Sequence, residues 1–297
     1  MRSGAKELVR VTGITIITDR GMDVKIAVAS GKGGTGKTTV AVNLALSIED
    51  SVLIDCDVEG PNSHIFFPGP MRKLKDVFIP APEFNLDKCT YCGKCADFCQ
   101  YNAISVIGKK LLFFEELCHG CGGCKIICPV DAISEREHHI GMIRHNDDRT
   151  LHDGLLDISE PFGVPIIKEL KELAMDKGVT IFDSPPGTAC PAVETMRDVD
   201  YCILVTEPTP FGLHDLNLTV DVAREIGVPF GVVINRDGIG DDSVEKYCVK
   251  EGIPLLAKIP NDIEIAKAYS RGTPVVKARP EYSNIFMDII DMIGGMI

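Results

Sequence analysis

The chain has 297 residues, of which 45% are hydrophobic, and its formal net charge is −12. This length allows one large domain or two modest ones with a real core, and the acidic balance argues against non-specific binding to nucleic acid or to anionic membranes. No signal peptide and no membrane-spanning stretch is visible, so we expect a cytoplasmic protein with neither a membrane nor a nucleic-acid partner. Residues 1–22 precede the first clear strand signal and fit an extra strand, a tail or a start-site artefact equally well.

The first clear element is an apolar run of strand length over residues 24–30, followed by a glycine-rich loop and by a helical pattern over residues 40–48. Strand, loop and helix in this order are the context that a P-loop requires. The glycines let backbone N–H groups close around phosphate oxygens at the helix N-terminus. We expect Lys37 to reach the β- and γ-phosphates and the Thr38 hydroxyl to bind Mg²⁺. The predicted nucleotide-binding residues of this loop are Gly31, Lys32, Gly33, Gly34, Thr35, Gly36, Lys37, Thr38 and Thr39.

A second apolar run, over residues 51–54, is followed by two carboxylates, Asp55 and Asp57. Carboxylates at the carboxyl ends of parallel strands lie at the crevice where such sheets bind ligands. Cys56 stands between the two acids, and neighbours at a strand end face opposite ways. We therefore expect Cys56 to pack in the core.

Eight of the cysteines fall in two runs of identical spacing, C-x2-C-x2-C-x3-C, in the middle of the chain. In proteins with two such runs the fourth cysteine of each run ligates the cluster of the other run. This rule assigns one [4Fe–4S] cluster to Cys89, Cys92, Cys95 and Cys128, and the second to Cys118, Cys121, Cys124 and Cys99. Zinc and disulfides are the weaker alternatives, because zinc sites usually pair one CxxC with a distant second pair and disulfide frameworks belong to secreted chains.

Residues 84–136 resemble a bacterial two-cluster ferredoxin, because residues 101–104 and 129–133 repeat the family's pattern after each run. Gln100 stands where that family usually has proline. The resemblance implies a small α+β domain inserted at residues 81–144. The segments on either side of this insertion are predicted to be linkers, since residues 68–70 and 79–82 are rich in proline and residues 135–148 are charged. Three histidines on the second flank are expected to be solvated rather than ligands, and these are His138, His139 and His145.

The second half of the chain alternates apolar runs with helical patterns. A run over residues 179–182 ends in Asp183. Three further runs predict buried parallel strands over residues 201–208, 231–236 and 254–260, since near-continuous apolar runs are typical of strands covered on both faces. Helices are predicted over residues 161–177, 212–227, 243–251 and 262–271. Cys202 and Cys248 lie in apolar patterns and are expected to be inert core thiols.

The Lys-Gly-Gly-x-Gly-Lys-Thr sequence that begins at Lys32 resembles the deviant phosphate loop of the superfamily of MinD, Mrp and the nitrogenase iron protein. The resemblance covers residues 24–80 and 150–297. It implies an α/β fold with a doubly wound, mostly parallel sheet, formed as a discontinuous ATPase domain by residues 1–80 and 145–297. It also implies a nucleotide-dependent homodimer, in which Lys32 crosses the interface to the partner's nucleotide.

The same resemblance assigns roles at the two switches of the superfamily. Asp57 orients or activates the attacking water, and Asp55 supports Mg²⁺. Asp183 holds the water shell of Mg²⁺, and Gly187 senses the γ-phosphate. Asn235 and Pro260 match the positions that contact adenine, and no Asn-Lys-x-Asp guanine motif is present, so ATP is favoured over GTP.

Cys190 lies seven residues after Asp183, where the nitrogenase iron protein carries a cysteine that ligates a cluster shared between subunits. That protein needs a second cysteine, and none stands at a matching position here. A shared third cluster is therefore the less favoured interpretation, and a small buried thiol is the alternative.

Three functions follow from these motifs. The first, which the two complete sets of cysteine ligands favour over the second, is a slow, dimer-dependent ATPase that couples nucleotide state to electron transfer through two [4Fe–4S] clusters to a redox partner. The second is a carrier or maturation ATPase of the Mrp type that hands clusters to an acceptor protein. The third is a MinD-like positioning switch, which is disfavoured because residues 283–297 contain no lysine or arginine for a membrane-binding helix. The ferredoxin-like insertion interrupts the ATPase between its two switches, so we expect movement of the first switch to reach the cluster domain.

Overall fold

The structure is a computed structural model, and it describes residues 23–297. The expectations for residues 1–22 lie outside the described residues. The strands are β1 Asp23–Ala29, β2 Ser51–Asp55, β3 Arg72–Phe84, β4 Ile104–Ile107, β5 Lys110–Phe113, β6 Ile133–His145, β7 Leu151–Leu156, β8 Gly178–Asp183, β9 Tyr201–Thr206, β10 Phe230–Asp237 and β11 Leu255–Pro260. The helices are α1 Lys37–Ser47, α2 Lys94–Phe98, α3 Gly123–Ile126, α4 Val164–Lys171, α5 Cys190–Met196, α6 Pro210–Ile226, α7 Ser243–Glu251, α8 Ile263–Ser270, α9 Val275–Ala278 and α10 Ser283–Gly294.

Nine strands form one sheet in the order β11-β10-β9-β1-β8-β2-β7-β6-β3. The pairs from β11 to β7 are parallel, and β6 pairs antiparallel with both β7 and β3. Strands β8 and β9 are buried along their whole length, which explains their near-continuous apolar sequences. The predicted α/β class with a large, mostly parallel sheet is confirmed.

Helices cover the sheet on two sides. One core cluster joins α1 and α10 to the sheet through residues such as Leu44 and Ile289. The other joins α4, α6 and α7 through residues such as Ile167 and Val220. The predicted helix over residues 161–177 is too long, because the chain leaves α4 by tight turns and Thr180 Oγ1 accepts a bond of 2.9 Å from the Met175 N–H. Within residues 23–297, no helix combines the length and apolar character that a membrane crossing requires.

A long antiparallel ribbon, formed by β3 and β6, projects from the edge of the sheet. Each strand has 13 residues, and their pairing runs from Arg72 opposite His145 to Phe84 opposite Ile133. Only the Gly141–His145 part of β6 also pairs with β7. The far end of the ribbon leads into residues 85–132, which carry both cysteine runs, so this cysteine unit is connected to the sheet by two paired strands.

The predicted linkers at residues 79–82 and 135–148 are wrong, because most of both segments is strand. Pro82 lies opposite Glu135, and Ile79 lies opposite His138. Proline is tolerated there because β3 is the edge strand of the sheet. The charged sequence of β6 is explained in the same way, since much of the ribbon outside the sheet is exposed to solvent.

We expect Gly154→Ala to lower the free energy of unfolding by about 1–3 kcal/mol, the usual cost of overpacking a core. A Cβ at Gly154, on β7, would lie 2.6 Å from Ile166 Cγ2 and 2.8 Å from Val58 Cγ1. Urea denaturation measures the change. Gly60→Ala is the matched control, because a Cβ there meets no heavy atom within 4 Å, and equal losses in both variants would contradict this packing.

Candidate functional site

The glycine-rich loop between β1 and α1 surrounds a cavity of about 340 Å³ at the carboxyl ends of the strands. Gly34 and Gly36 adopt positive φ angles of 82° and 95°, which residues with a Cβ rarely adopt. The structure brings most of the predicted nucleotide-binding residues to this cavity. Among its lining residues are Gly33, Gly34, Gly36, Lys37, Thr38, Thr39, Asp57, Asn235 and Pro260. Asn235 also donates a bond of 2.7 Å to the Thr35 carbonyl, which ties β10 to the loop.

Carboxylates converge on Lys37 at one end of the cavity. Asp183 is 1% exposed, and its burial and the nearby Asp55 raise its pKa to about 8. Burial and Asp55 also raise the pKa of Asp57 to about 6. Burial lowers the pKa of Lys37, and the charge of Asp183 opposes that shift. Asp183, Asp57 and Asp55 all act on the charge of Lys37, so carboxylates outnumber this lysine at that end of the cavity.

This end of the cavity suits a divalent cation. The Thr38 hydroxyl opposes the rise in the pKa of the nearby Asp183, and the same pair of residue types holds Mg²⁺ in P-loop proteins. Asp183 Oδ1 is buried and has no hydrogen-bond partner among the described residues. A magnesium ion and its water shell would satisfy that oxygen and balance the local negative charge.

Asp55 acts on the site through the loop that follows it. Its Oδ1 accepts a bond of 3.0 Å from the Asp57 N–H, and its Oδ2 accepts bonds of 3.0 and 2.9 Å from the N–H groups of Asn62 and Ser63. The backbone of residues 57–63, here called the switch loop, is thereby held by three hydrogen bonds to the buried carboxylate of Asp55. The sequence does not predict these contacts of Asp55, because no fixed residue spacing marks a loop that folds back onto the end of its own strand.

Lys32 is not among the residues that line the cavity at the glycine-rich loop, here called the phosphate cavity. Its Nζ is 3.8 Å from a carboxylate oxygen of Glu207, and Arg236 pairs with the same carboxylate. Gly187 has a φ of 90°, and its N–H donates a bond of 3.0 Å to the Ser30 carbonyl, which places the second switch against the end of β1.

Sequence reasoning also missed residues at the far end of the cavity, including Arg236, Asp262 and Tyr269. Asp262 accepts bonds from the Glu264 N–H, at 2.8 Å, and from the Tyr282 hydroxyl, at 2.7 Å. Asn235 was assigned by the family resemblance, which did not extend to these residues. A polar side chain near the carboxyl end of a parallel strand is a signal that could have found Arg236, on β10, and Asp262, two residues after β11.

The cysteine unit contains two further cavities, each lined by four cysteines. One of them, here called the near cavity, is lined by Cys99, Cys118, Cys121 and Cys124. The other, here called the far cavity, is lined by Cys89, Cys92, Cys95 and Cys128. Four thiols around one cavity are the donor set of a [4Fe–4S] cluster. No three histidine, cysteine or carboxylate side chains within residues 23–297 come close enough together to hold a single metal ion.

The near cavity extends farther along the ribbon toward the sheet, because Pro80, Pro82 and Glu135 are among its lining residues, whereas the far cavity reaches only the last ribbon pair, Phe84 and Ile133. Every residue that lines the far cavity lies between Phe84 and Ile133. The two cavities therefore differ in their relation to the nucleotide-binding sheet, which the repeated sequence does not indicate.

The histidines of β6 are partnered, so the expectation that they are solvated is wrong. His138 lies 3.0 Å from Glu115 and 2.9 Å from Glu160. His139 lies 2.7 Å from Asp157 and 3.1 Å from Asp76. His145 Nδ1 is 2.7 Å from the Asn146 carbonyl. Their places on a paired strand bring the His138 and His139 side chains against acidic neighbours.

The cysteines outside the two runs divide into two groups. Cys56, Cys202 and Cys248 are buried, as predicted, and burial raises the pKa of each thiol, to about 11 for Cys248. Cys190 is exposed at the start of α5, so the expectation of a small buried thiol is wrong there.

Residues 26–275 match the family described as the CobQ/CobB/MinD/ParA nucleotide binding domain. The chain belongs to this family. An uncharacterised protein of Methanocaldococcus jannaschii is 34% identical over 260 residues, which cover 85% of this chain and 91% of the relative. The iron–sulfur cluster carrier protein of Pyrococcus abyssi is 26% identical over 276 residues, which cover 85% of this chain and 79% of the relative.

Solved structures of MinD have the same fold. The cell division ATPase MinD of Pyrococcus furiosus superposes with a TM-score of 0.56 at 22% identity, covering 93% of this chain and 100% of that one. MinD of Pyrococcus horikoshii, solved with Mg-ADP, gives a TM-score of 0.55 at 22% identity, covering 91% and 95%. At this identity the likeness shows the fold alone.

Proposed function

We propose that the protein is an ATP-dependent iron–sulfur protein whose cysteine unit, residues 85–132, holds two [4Fe–4S] clusters. The observation that carries the proposal is the grouping of the thiols, since the two sets of four that spacing assigns are the sets that line the near and far cavities. The ferredoxin-like insertion would then occupy the end of the ribbon, and the family's nucleotide-binding domain would occupy the sheet.

Delivery of clusters to an acceptor protein is the function that the comparisons favour. Relatives named iron–sulfur cluster carrier protein align with most of this chain, in Pyrococcus abyssi over 85% of it and in Aquifex aeolicus over 92%. Those relatives are about a quarter identical to the chain, so the activity is carried over as a proposal.

Electron transfer is the second candidate, and a specific observation supports it. Each cavity has four cysteines, and a complete ligand set is suited to holding a cluster permanently. A carrier would have to break the bonds from all four cysteine ligands in order to release its cluster.

For ATP hydrolysis, the residues around the phosphate cavity supply the groups that the reaction needs. Mg²⁺ bound with the nucleotide would neutralise charge on the β- and γ-phosphates. Lys37 would contact those phosphates, and Thr38 and Asp183 would hold the ion and its water shell. Asp57 has a pKa of about 6, so it is mostly ionised at pH 7 and basic enough to accept a proton from an attacking water.

The wild-type protein should contain about eight irons per chain, four for each cluster. Replacing one ligand, as in Cys128→Ser, should reduce the content to about four, because one ligand set is left incomplete. Iron and sulfide analysis of anaerobically prepared protein measures both. Cys190→Ser is the matched control and should keep all eight. Zinc in place of iron in the wild type would overturn the assignment.

Transfer and retention of clusters separate the two candidate functions. In the carrier function proposed here nucleotide state controls release, so loaded protein, mixed anaerobically with an apo-ferredoxin, should pass its clusters on faster with Mg·ATP than without. The Lys37→Ala variant should lose this acceleration, since it lacks the main cationic contact to the phosphates. Iron that stays with the chain throughout, in a protein whose reduction potentials respond to nucleotide, would establish electron transfer instead.

A homodimer formed with ATP is proposed from the position of Lys32, which lies outside its own phosphate cavity against Glu207. Lys32→Ala should abolish the ATP-dependent rise in mass seen by light scattering, and slow hydrolysis with it. Lys250→Ala, a change at a lysine that is 80% exposed on α7, is the control. An unchanged rise in the Lys32 variant would contradict the proposal.

A further inference from the structure

The loop between β7 and α4, residues 157–163, lies between the nucleotide switch and the cysteine unit. On the switch side it packs against Val58, the residue that follows Asp57. Val58 is 2% exposed, and its carbonyl accepts a bond of 2.9 Å from the Leu156 N–H. A Cβ added to Gly163 would lie 2.4 Å from Val58 Cγ2. Val58 therefore cannot move toward the loop without displacing it, because close-packed atoms leave no free volume.

On its other side the same loop contacts the near cavity through an aromatic stack. The Phe162 ring lies 4.4 Å from the ring of His119, which stacks on Tyr101 at 3.5 Å and an interplanar angle of 5°. His119 directly follows Cys118, and Tyr101 comes two residues after Cys99. The stack thus joins two segments that each contribute a thiol to the near cavity.

A separate set of polar contacts holds the loop in place. His138 bridges Glu160 on the loop, at 2.9 Å, and Glu115 in the cysteine unit, at 3.0 Å. His139 contacts Asp157, at the start of the loop, at 2.7 Å. Both histidines belong to β6, so the ribbon, the loop and the cysteine unit meet at one place.

Within residues 23–297, none of the residues that line the far cavity belongs to the loop or to its aromatic stack. In the repeated cysteine pattern Thr90 follows Cys89 as His119 follows Cys118. Thr90 lines the far cavity together with residues 84–133 only. The two halves of the repeat therefore differ at this position, which in the near half contacts the loop through Phe162.

We infer that the contact of Phe162 with His119 couples the switch loop to the near cavity, and that the far cavity is left out of this coupling. The inference rests on the proposed function, in which the chain binds ATP and both cavities hold clusters. A switch loop that becomes ordered around the γ-phosphate moves Val58. The movement passes through Gly163 to Phe162 and changes the packing beside Cys118, and the packing and solvent access around a cluster influence its potential.

The test is a nucleotide-dependent redox titration of the loaded, full-length chain. Potentials of both clusters are measured without nucleotide, with Mg·ADP and with a non-hydrolysable Mg·ATP analogue. In the wild type one cluster should respond, and ATP affinity should differ by roughly two- to tenfold between oxidised and reduced protein. By reciprocity a tenfold difference equals a potential shift of about 59 mV for a one-electron couple.

Variants identify the route. His119→Ala should abolish the shift while ATP still binds, and its matched counterpart Thr90→Ala should keep it, even if the potential of its own cluster changes. Phe162→Leu lies outside the cysteine unit, so it tests the same contact if His119→Ala loses a cluster. Hydrogen exchange gives a second measure, since nucleotide should protect residues 118–120 in the wild type but not in Phe162→Leu.

The outcomes separate the inference from the proposed function. A wild-type chain that holds no clusters, or binds no ATP, overturns both. A chain that holds clusters and binds ATP, but has potentials that ignore nucleotide, overturns the inference alone. The inference alone is also overturned if Thr90→Ala removes the shift as completely as His119→Ala does.

Discussion

The pairing of β7 with two neighbours fixes the relation between the nucleotide site and the cysteine unit. On one side Asp153 lies opposite Asp55 in a parallel pair, and on the other it lies opposite Arg144 in an antiparallel pair. Arg144 donates bonds of 2.9 and 2.7 Å to the fully buried carboxylate of Asp153. Removing one partner of such a pair typically costs about 3–5 kcal/mol, because the other charge is left buried and alone. The base of the ribbon is thus fixed beside the first switch.

Three buried acids lie in register across adjacent strands, and two of them are stabilised by partners of different kinds. Asp153 has the Arg144 guanidinium, and Asp55 has three backbone N–H groups of the switch loop. Asp183, opposite Asp55 on β8, has an unpartnered oxygen among the described residues and a pKa raised to about 8 by burial and by Asp55. Mg²⁺ bound with the nucleotide would reduce the electrostatic repulsion between Asp183 and Asp55. Because Asp55 also holds the switch loop, ion binding and the ordering of that loop depend on the same carboxylates.

Sequence patterns predicted those features that depend on neighbours in the chain. The P-loop, the buried strands and the two cysteine sets each have a short-range signal, a glycine spacing, an apolar run or a thiol repeat. The ribbon was not predicted because exposed paired strands are polar and tolerate edge proline, as at Pro82. The contacts of Asp55 with Ser63 and of Phe162 with His119 could not be predicted, because they depend on how separate segments fold back on one another.

The size of the proposed coupling can be bounded from the contact that would transmit it. Two paired strands and the histidine contacts hold the cysteine unit, so switching need only alter the packing at Phe162 and His119. An aromatic pair contributes about 0.5–1.5 kcal/mol beyond its buried area. Since 1.4 kcal/mol is a factor of about ten in an equilibrium constant, changing this one contact could shift ATP affinity by roughly two- to tenfold. If the cysteine unit were joined to the sheet only by a flexible tether, a change in the switch loop would not alter the packing at the near cavity. ATP affinity would then not depend on the oxidation state of the clusters.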